Sequence, residues 1–166
     1  GVFSRLLAAK APFLEIDIFE PHPTRLALEK SANDKNLRFV DSLSKDYDAV
    51  IAIDVLEHLG DPLAVLDQLV RVVRMDGLLV FANCFYPVIK CHLPRTFYLR
   101  YFFRHFARQF GLKPVGRCGY AVIYRKCSCG LPDWKKIRRM EVWCQRAFTP
   151  MDWLEKTARK VKRMLI

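Results

Sequence analysis

Residues 47–62, Tyr-Asp-Ala-Val-Ile-Ala-Ile-Asp-Val-Leu-Glu-His-Leu-Gly-Asp-Pro, and residues 69–81, Leu-Val-Arg-Val-Val-Arg-Met-Asp-Gly-Leu-Leu-Val-Phe, decide how the chain folds. Tyr47 to Ile53 is a nearly continuous apolar run, the pattern of a strand buried on both faces. Asp61-Pro62 predicts a helix start, because Asp61 can cap free backbone N–H groups and proline suits the first helical position. Leu63, Leu66, Val70 and Val73 then share one face at helical spacing. Met75-Asp76-Gly77 reads as a turn in which Gly77 supplies the permissive backbone, and Leu78 to Ala82 as a second buried strand.

The same alternation extends in both directions. Val2 to Ala11 has helical spacing and is stopped by Pro12; Phe13 to Phe19 reads as a strand ending at Pro21-His22-Pro23. Thr24 opens a helix that Asn33-Asp34 closes, and Leu37 to Val40 is a short strand. Downstream, Pro94 to Phe110 predicts an aromatic-rich helix ended by Gly111. Val115 and Tyr120 to Tyr124 supply the last strands, with Gly116 and Gly119 in a turn between an antiparallel pair. Strands alternating with helices imply an α/β fold: a mostly parallel sheet with an antiparallel final strand and helices on both faces. Ligands on such sheets bind beyond the carboxyl ends of the strands.

The loop Asp54 to Pro62, followed by Arg74-Met-Asp-Gly-Leu-Leu-Val80, resembles the fourth strand, loop, helix and fifth strand of class I S-adenosylmethionine-dependent methyltransferases, and most closely those of the ubiquinone-biosynthesis type. Met75-Asp76-Gly77 stands where Pro-Gly-Gly is usual. The resemblance covers about residues 1–126 and implies a Rossmann-like methyltransferase fold with S-adenosylmethionine as cofactor. It implies that Glu20, rather than the earlier Asp17, accepts hydrogen bonds from the ribose hydroxyls, a charge-assisted match. It further implies that Asp41 and Ser42 flank the adenine, and that Asp54, Val55 and Leu56 pass beneath the methionine part. Gly1 would be the last glycine of the Gly-rich loop, so the family's first strand is expected to be missing and the fold N-terminally truncated. Weak or absent cofactor binding by these residues alone follows as an expectation.

Composition bounds the alternatives. The 166 residues, 52% hydrophobic and 27% charged, suit one soluble domain with a sizeable core. Cys127 and Cys129 are one residue apart, short of zinc-knuckle spacing, so the six cysteines are expected to be reduced thiols and no metal site is expected. The net charge is +11; residues 125–166 hold twelve Lys or Arg against four Asp or Glu, a surplus of eight. We therefore divide the chain into a methyltransferase core, 1–126, and a basic extension, 127–166, ending in an amphipathic helix. Thr149-Pro150-Met151-Asp152 reads as that helix's start, with Leu154, Ala158, Val161 and Leu165 as its apolar stripe. Residues 149–166 could then touch an anionic membrane, which makes a cytoplasmic, membrane-peripheral address the expectation.

Methyl transfer asks a protein to align the acceptor and, for a hydroxyl, to take up a proton. His92, which follows the fifth predicted strand, and His58, in the motif loop, are the candidate bases. Residues 85–104 interleave aromatics with Lys90, Arg95, Arg100 and Arg104, which suits a small or lipid-linked acceptor bearing a phosphate or carboxylate, or else a packed helix with solvated arginines. The stretch resembles methyltransferases of surface-polysaccharide or quinone-like metabolism, and the resemblance implies O-methylation as the expected reaction. No Asn-Pro-Pro-Tyr-like loop follows the fourth strand, which argues against methylation of nucleic-acid bases. The competing reading is a non-catalytic Rossmann-like module that binds an anionic partner through its basic tail.

Overall fold

The computed structural model describes residues 2–44 and 46–164, with side chains through 157. They fall into two compact units divided after Ser44. The first contains α1 (Val2–Lys10), β1 (Ile16–Phe19), α2 (Arg25–Ser31) and β2 (Leu37–Val40). The two strands are parallel, with Ile16 opposite Leu37 and Phe19 opposite Val40. Helix α2 starts where the sequence predicts, as Thr24 Oγ1 accepts a hydrogen bond from the Ala27 N–H at 3.2 Å. Asn36 Nδ2 donates to the Leu14 and Ala8 carbonyls at 3.0 and 3.3 Å, tying the loop before β2 to α1 and its following turn. Helix α1 forms as expected, yet Val2, Phe3 and Leu6 are exposed and only Ala8 is buried.

The second unit contains β3 (Tyr47–Ile53), α3 (Pro62–Val72), β4 (Val73–Ala82), α4 (Leu99–Gln109), β5 (Leu112–Cys118), β6 (Ala121–Lys126) and α5 (Trp134–Met164). Its sheet has the order β3-β4-β6-β5. β3 and β4 are parallel, while β6 runs antiparallel to both its neighbours. Asp61 Oδ1 caps α3 by accepting from the Ala64 N–H at 3.1 Å, and Leu63, Leu66 and Val70 are buried along the predicted stripe. Gly111, at φ +77°, ends α4 in the left-handed conformation that glycine adopts without strain.

Three local expectations are corrected. β3 is buried on one face only: Ala52 is buried, whereas Ala49, Ile51 and Ile53 are exposed, and β3 is an edge strand of its sheet. Met75-Asp76-Gly77 is not a turn but lies within β4, which starts at Val73 directly after α3. The left-handed residue there is Asp76, at φ +59°. Gly77 is needed for space: a Cβ would come within 2.5 Å of Val73 Cγ1, 2.9 Å of the Arg74 carbonyl and 3.0 Å of the Asp48 carbonyl. Gly116 likewise lies inside β5, and the hairpin turns at Gly119, φ +58°.

Helix α4 is strongly amphipathic, and α5 lies in the same core: Leu99 and Phe106 are buried with Ile137 and Cys144. Tyr98 donates its hydroxyl to Glu141 at 2.8 Å. Arg100, only 7% exposed at its side chain, pairs with Asp152 and Glu155. Its guanidinium lies over the Tyr86, Tyr101 and Phe148 rings at 4.8, 4.7 and 4.9 Å. These contacts hold the segment after Pro150 on α4, and α5 runs unbroken through Pro150, so Thr149-Pro150 is not a helix start. The helix tolerates one missing backbone N–H there because tertiary contacts anchor both sides. Leu154 is exposed; Ala158, Val161 and Leu165 lie outside the described side chains.

Gly77→Ala is expected to destabilise the fold by about 1–3 kcal/mol through overpacking against backbone, read as a lowered urea midpoint with an unchanged slope. Hydrogen bonds from Lys156 and Arg100 hold the Asp152 carboxyl below its ordinary value. A depressed carboxyl contributes stability above its unfolded value, about 3.9, and that contribution is lost as pH falls through the folded value. Calorimetric scans from pH 7 to pH 2 should therefore show Asp152→Asn melting lower than the parent at pH 7, with the two converging in acid.

Candidate functional site

The β3–β4 register sets the site in the second unit. Ile53 pairs with Ala82, and the Asp54 N–H donates to the Ala82 carbonyl at 2.7 Å, so the loops after the two strands leave side by side. Asp54 takes φ +51°, a left-handed conformation that aspartate tolerates better than most residues. Its exposed carboxylate accepts the Tyr120 hydroxyl at 3.1 Å, which raises the phenol's affinity for its proton. Val55 is partly exposed, whereas Leu56 is fully buried in the core, so Leu56 can offer a ligand only its backbone.

Glu57 and His58 follow in a single 3-10 turn. Glu57 is fully buried, and its Oε1 accepts the Cys84 N–H at 2.7 Å. Its Oε2 is buried with no hydrogen-bond partner among the described residues. The Leu93 N–H donates to the Glu57 carbonyl at 3.0 Å, which brings His92 beside this turn. His92 is buried and its Nδ1 lies 2.6 Å from the Tyr86 carbonyl; His58 Nδ1 lies 3.2 Å from the Cys91 carbonyl. The two rings meet edge to face with centroids 4.9 Å apart. The two predicted bases are thus neighbours. Glu57, which sequence reasoning left as part of the loop, completes their cluster.

A cavity of about 480 Å³ is lined by Phe81, Phe85, Tyr86, Phe103 and Tyr124, with Asn83, Arg104 and Arg117 among its polar groups; neither predicted base lines it, and His92 is tied to it only through the Tyr86 carbonyl. Asn83 Oδ1 is buried and has no hydrogen-bond partner among the described residues. Asn83 and Tyr120 were missed from sequence. Asn83's place immediately after a predicted strand end was the available signal; nothing local pointed to Tyr120, which reaches Asp54 only through the β5–β6 hairpin. Of the expected anion-binding arginines, Arg95 donates to the Gly60 carbonyl at 2.9 Å and Arg100 is bound to α5, so both are structural; Arg104 faces the cavity.

In the first unit, Glu20 and Asp41 directly follow the paired Phe19 and Val40, so both exposed carboxylates stand at the same end of the parallel ladder, with exposed Ser42 next to Asp41. Glu20 accepts the His22 N–H at 3.2 Å. Asp17 is instead engaged by Arg38 at 2.6 Å. Gly1 lies outside the described residues. Exposed carboxylates at strand ends are a donor-poor, acceptor-rich set, which fits the hydroxyl and amino donors of a nucleoside.

Residues 1–79 match the model of a family described as a methyltransferase domain. No curated protein matches the chain by sequence. Among solved structures, an O-methyltransferase family protein from Burkholderia thailandensis is similar at TM-score 0.56 and 16% identity, over 77% of this chain and 48% of that one. A protein described as a type 11 methyltransferase from Sulfolobus solfataricus is similar at TM-score 0.51 and 11% identity, over 78% and 83%. A third, described as a sarcosine dimethylglycine methyltransferase from Galdieria sulphuraria, has TM-score 0.50 and 17% identity over 68% and 49%. The chain spans about half the length of the first and third of these proteins. Residues 1–79 thus resemble a methyltransferase domain, and the likeness to the solved structures shows an α/β, Rossmann-like fold.

Proposed function

We propose that the protein methylates an oxygen of a small or lipid-linked acceptor, with S-adenosylmethionine as donor, in metabolism of the surface-polysaccharide or quinone type. The observation that carries this reading is the aromatic cavity whose wall holds the unpartnered Asn83 Oδ1 and Tyr86, the residue whose carbonyl meets His92. Flat or alicyclic acceptors suit the ring-lined walls, and Arg104 and Arg117 suit a phosphate or carboxylate on the acceptor. Asn83 Oδ1 takes a hydrogen bond from an acceptor O–H or N–H. His92 and His58, each aligned through Nδ1 by a backbone carbonyl, receive the hydroxyl proton on Nε2.

The chemistry supplied by S-adenosylmethionine when bound is an electrophilic methyl group. Glu20 accepts from the ribose hydroxyls, Asp41 and Ser42 meet the adenine, and Asp54, Val55 and the Leu56 backbone lie along the methionine part. Residues 149–166, whose charge favours an anionic surface, bring the enzyme to its membrane-borne acceptor from the cytoplasmic side.

Calorimetric titration of S-adenosylmethionine and S-adenosylhomocysteine into this chain, and into a version extended upstream in the reading frame, checks the cofactor. Binding is expected to weaken about tenfold or more in Glu20→Ala, the loss of a charge-assisted pair. Two well-folded proteins that bind neither compound would overturn the methyl-transfer reading in favour of a binding module. Co-sedimentation with phosphatidylserine vesicles is expected to fall when residues 149–166 are removed; equal sedimentation with and without them removes the membrane role.

A further inference from the structure

We propose that Glu57, His58 and His92 form a binding site for one divalent transition-metal ion of the zinc type. A carboxylate oxygen of Glu57 and one ring nitrogen of each histidine all lie within 4.8 Å of one another. All three residues belong to the second unit, and backbone contacts hold them there: the Leu93 N–H on the Glu57 carbonyl at 3.0 Å, and the Cys84 N–H on Glu57 Oε1 at 2.7 Å.

A carbonyl oxygen only accepts, so the contacts of His92 Nδ1 with Tyr86 and His58 Nδ1 with Cys91 put the proton on Nδ1 of each ring. That leaves Nε2 of both as lone-pair acceptors. Glu57, when ionised, is also acceptor-only, and its Oε2 is buried without a partner. The three residues that carry these acceptors are the ones whose ligand atoms cluster within 4.8 Å. No lysine or arginine pairs with Glu57 among the described residues, although the carboxylate is fully removed from solvent. A buried carboxylate with no cationic partner is costly. A cation at the centre of the three groups removes that cost, and a metal ion engages all three lone pairs where a proton engages two.

Two imidazoles and one carboxylate are a donor set that zinc accepts in open sites, with the remaining position left for water or a substrate oxygen. Histidine ligands anchored through the other ring nitrogen to a carbonyl are the usual support for such an ion. Zinc bonds of about 2.0–2.1 Å bring ligand atoms to about 3.4 Å apart, so the three groups close in on the ion, with half-buried His58 the freest to move. The site stands without the methyl-transfer reading. Where a metal is bound, the two histidines would hold it instead of serving as bases, and the ion would supply Lewis acidity to an acceptor oxygen whose proton passes to water.

The test is binding of the metal alone. The chelator-treated protein carrying Cys127→Ser and Cys129→Ser, which removes two exposed thiols as competitors, is titrated calorimetrically with zinc chloride; cobalt chloride gives a visible spectrum. One equivalent of zinc is expected to bind and raise the melting temperature, and cobalt to show d–d absorption without a thiolate charge-transfer band. His58→Ala and Glu57→Gln, the latter keeping an acceptor for the Cys84 N–H, should each weaken binding at least tenfold, while metal-free His58→Ala melts near the parent. Zinc binding that neither substitution alters, a thiolate band that shows sulfur ligation instead, or no binding to the folded parent would each overturn the proposal, the last marking a proton-sharing cluster. Zinc bound here by a protein that binds no S-adenosylmethionine even when extended upstream would sink the methyl-transfer reading and leave the site standing.

Discussion

The parallel ladder between β3 and β4 is the constraint on which the functional end of the second unit depends. Its register puts Ile53 beside Ala82 and is extended by the Asp54 N–H to the Ala82 carbonyl, so residues 54–58 and 83–86 leave the sheet as neighbours. Slipping that pairing by one residue would turn each side chain to the opposite face. It would also part the Cys84 N–H from the Glu57 carboxylate. The register is guarded at the far end of the strand, where Gly77 lets the backbones of β3 and β4 approach at a point no side chain could occupy. The irregularity between Tyr47 and Ala49 and the left-handed Asp76 absorb the change from helix α3 into β4.

A second set of interactions closes the other side of the cavity. Arg100 is nearly buried, and it is tolerable there because Asp152 and Glu155 neutralise it and three aromatic rings surround its guanidinium. Removing one partner of such a group leaves a buried charge uncompensated, so α4 and the middle of α5 are coupled strongly. The wall of the cavity contributed by Tyr86, Arg100 and Tyr101 is therefore only as well ordered as the docking of α5. A helix remote in sequence from the motif loop thus shapes the space next to it.

The polar groups left unsatisfied mark where the structure departs from what stability alone would select. Of three buried polar atoms without partners among the described residues, Arg100 Nε belongs to the α4–α5 contact, while Glu57 Oε2 and Asn83 Oδ1 stand beyond the carboxyl ends of β3 and β4. Buried orphans of this kind are rare and costly, and in native folds they commonly await a ligand, an ion or water. Their concentration at one edge of the sheet, away from the apolar interior of Leu63, Leu66 and Leu79, separates the part of the unit that holds it together from the part that can do chemistry.

The alternation of helices and strands, the Asp61-Pro62 start of α3, the Thr24 cap and the Gly111 stop were all legible in the residues, because each rests on hydrogen bonds within a few positions in the chain. The order of acids after successive strands, Glu20, Asp41 and Asp54, was legible for the same reason: a strand end is a local feature. What only tertiary structure decided depended on partners distant in sequence. The steric need for Gly77 follows from the backbone of Asp48, and the passage of α5 through Pro150 from the pairing with α4. The joining of Glu57 and His58 to His92, some thirty residues later, follows from backbone hydrogen bonds across that gap. Local sequence sets what each segment can form; which side chains meet, and which are left without partners, is set by long-range packing and strand register.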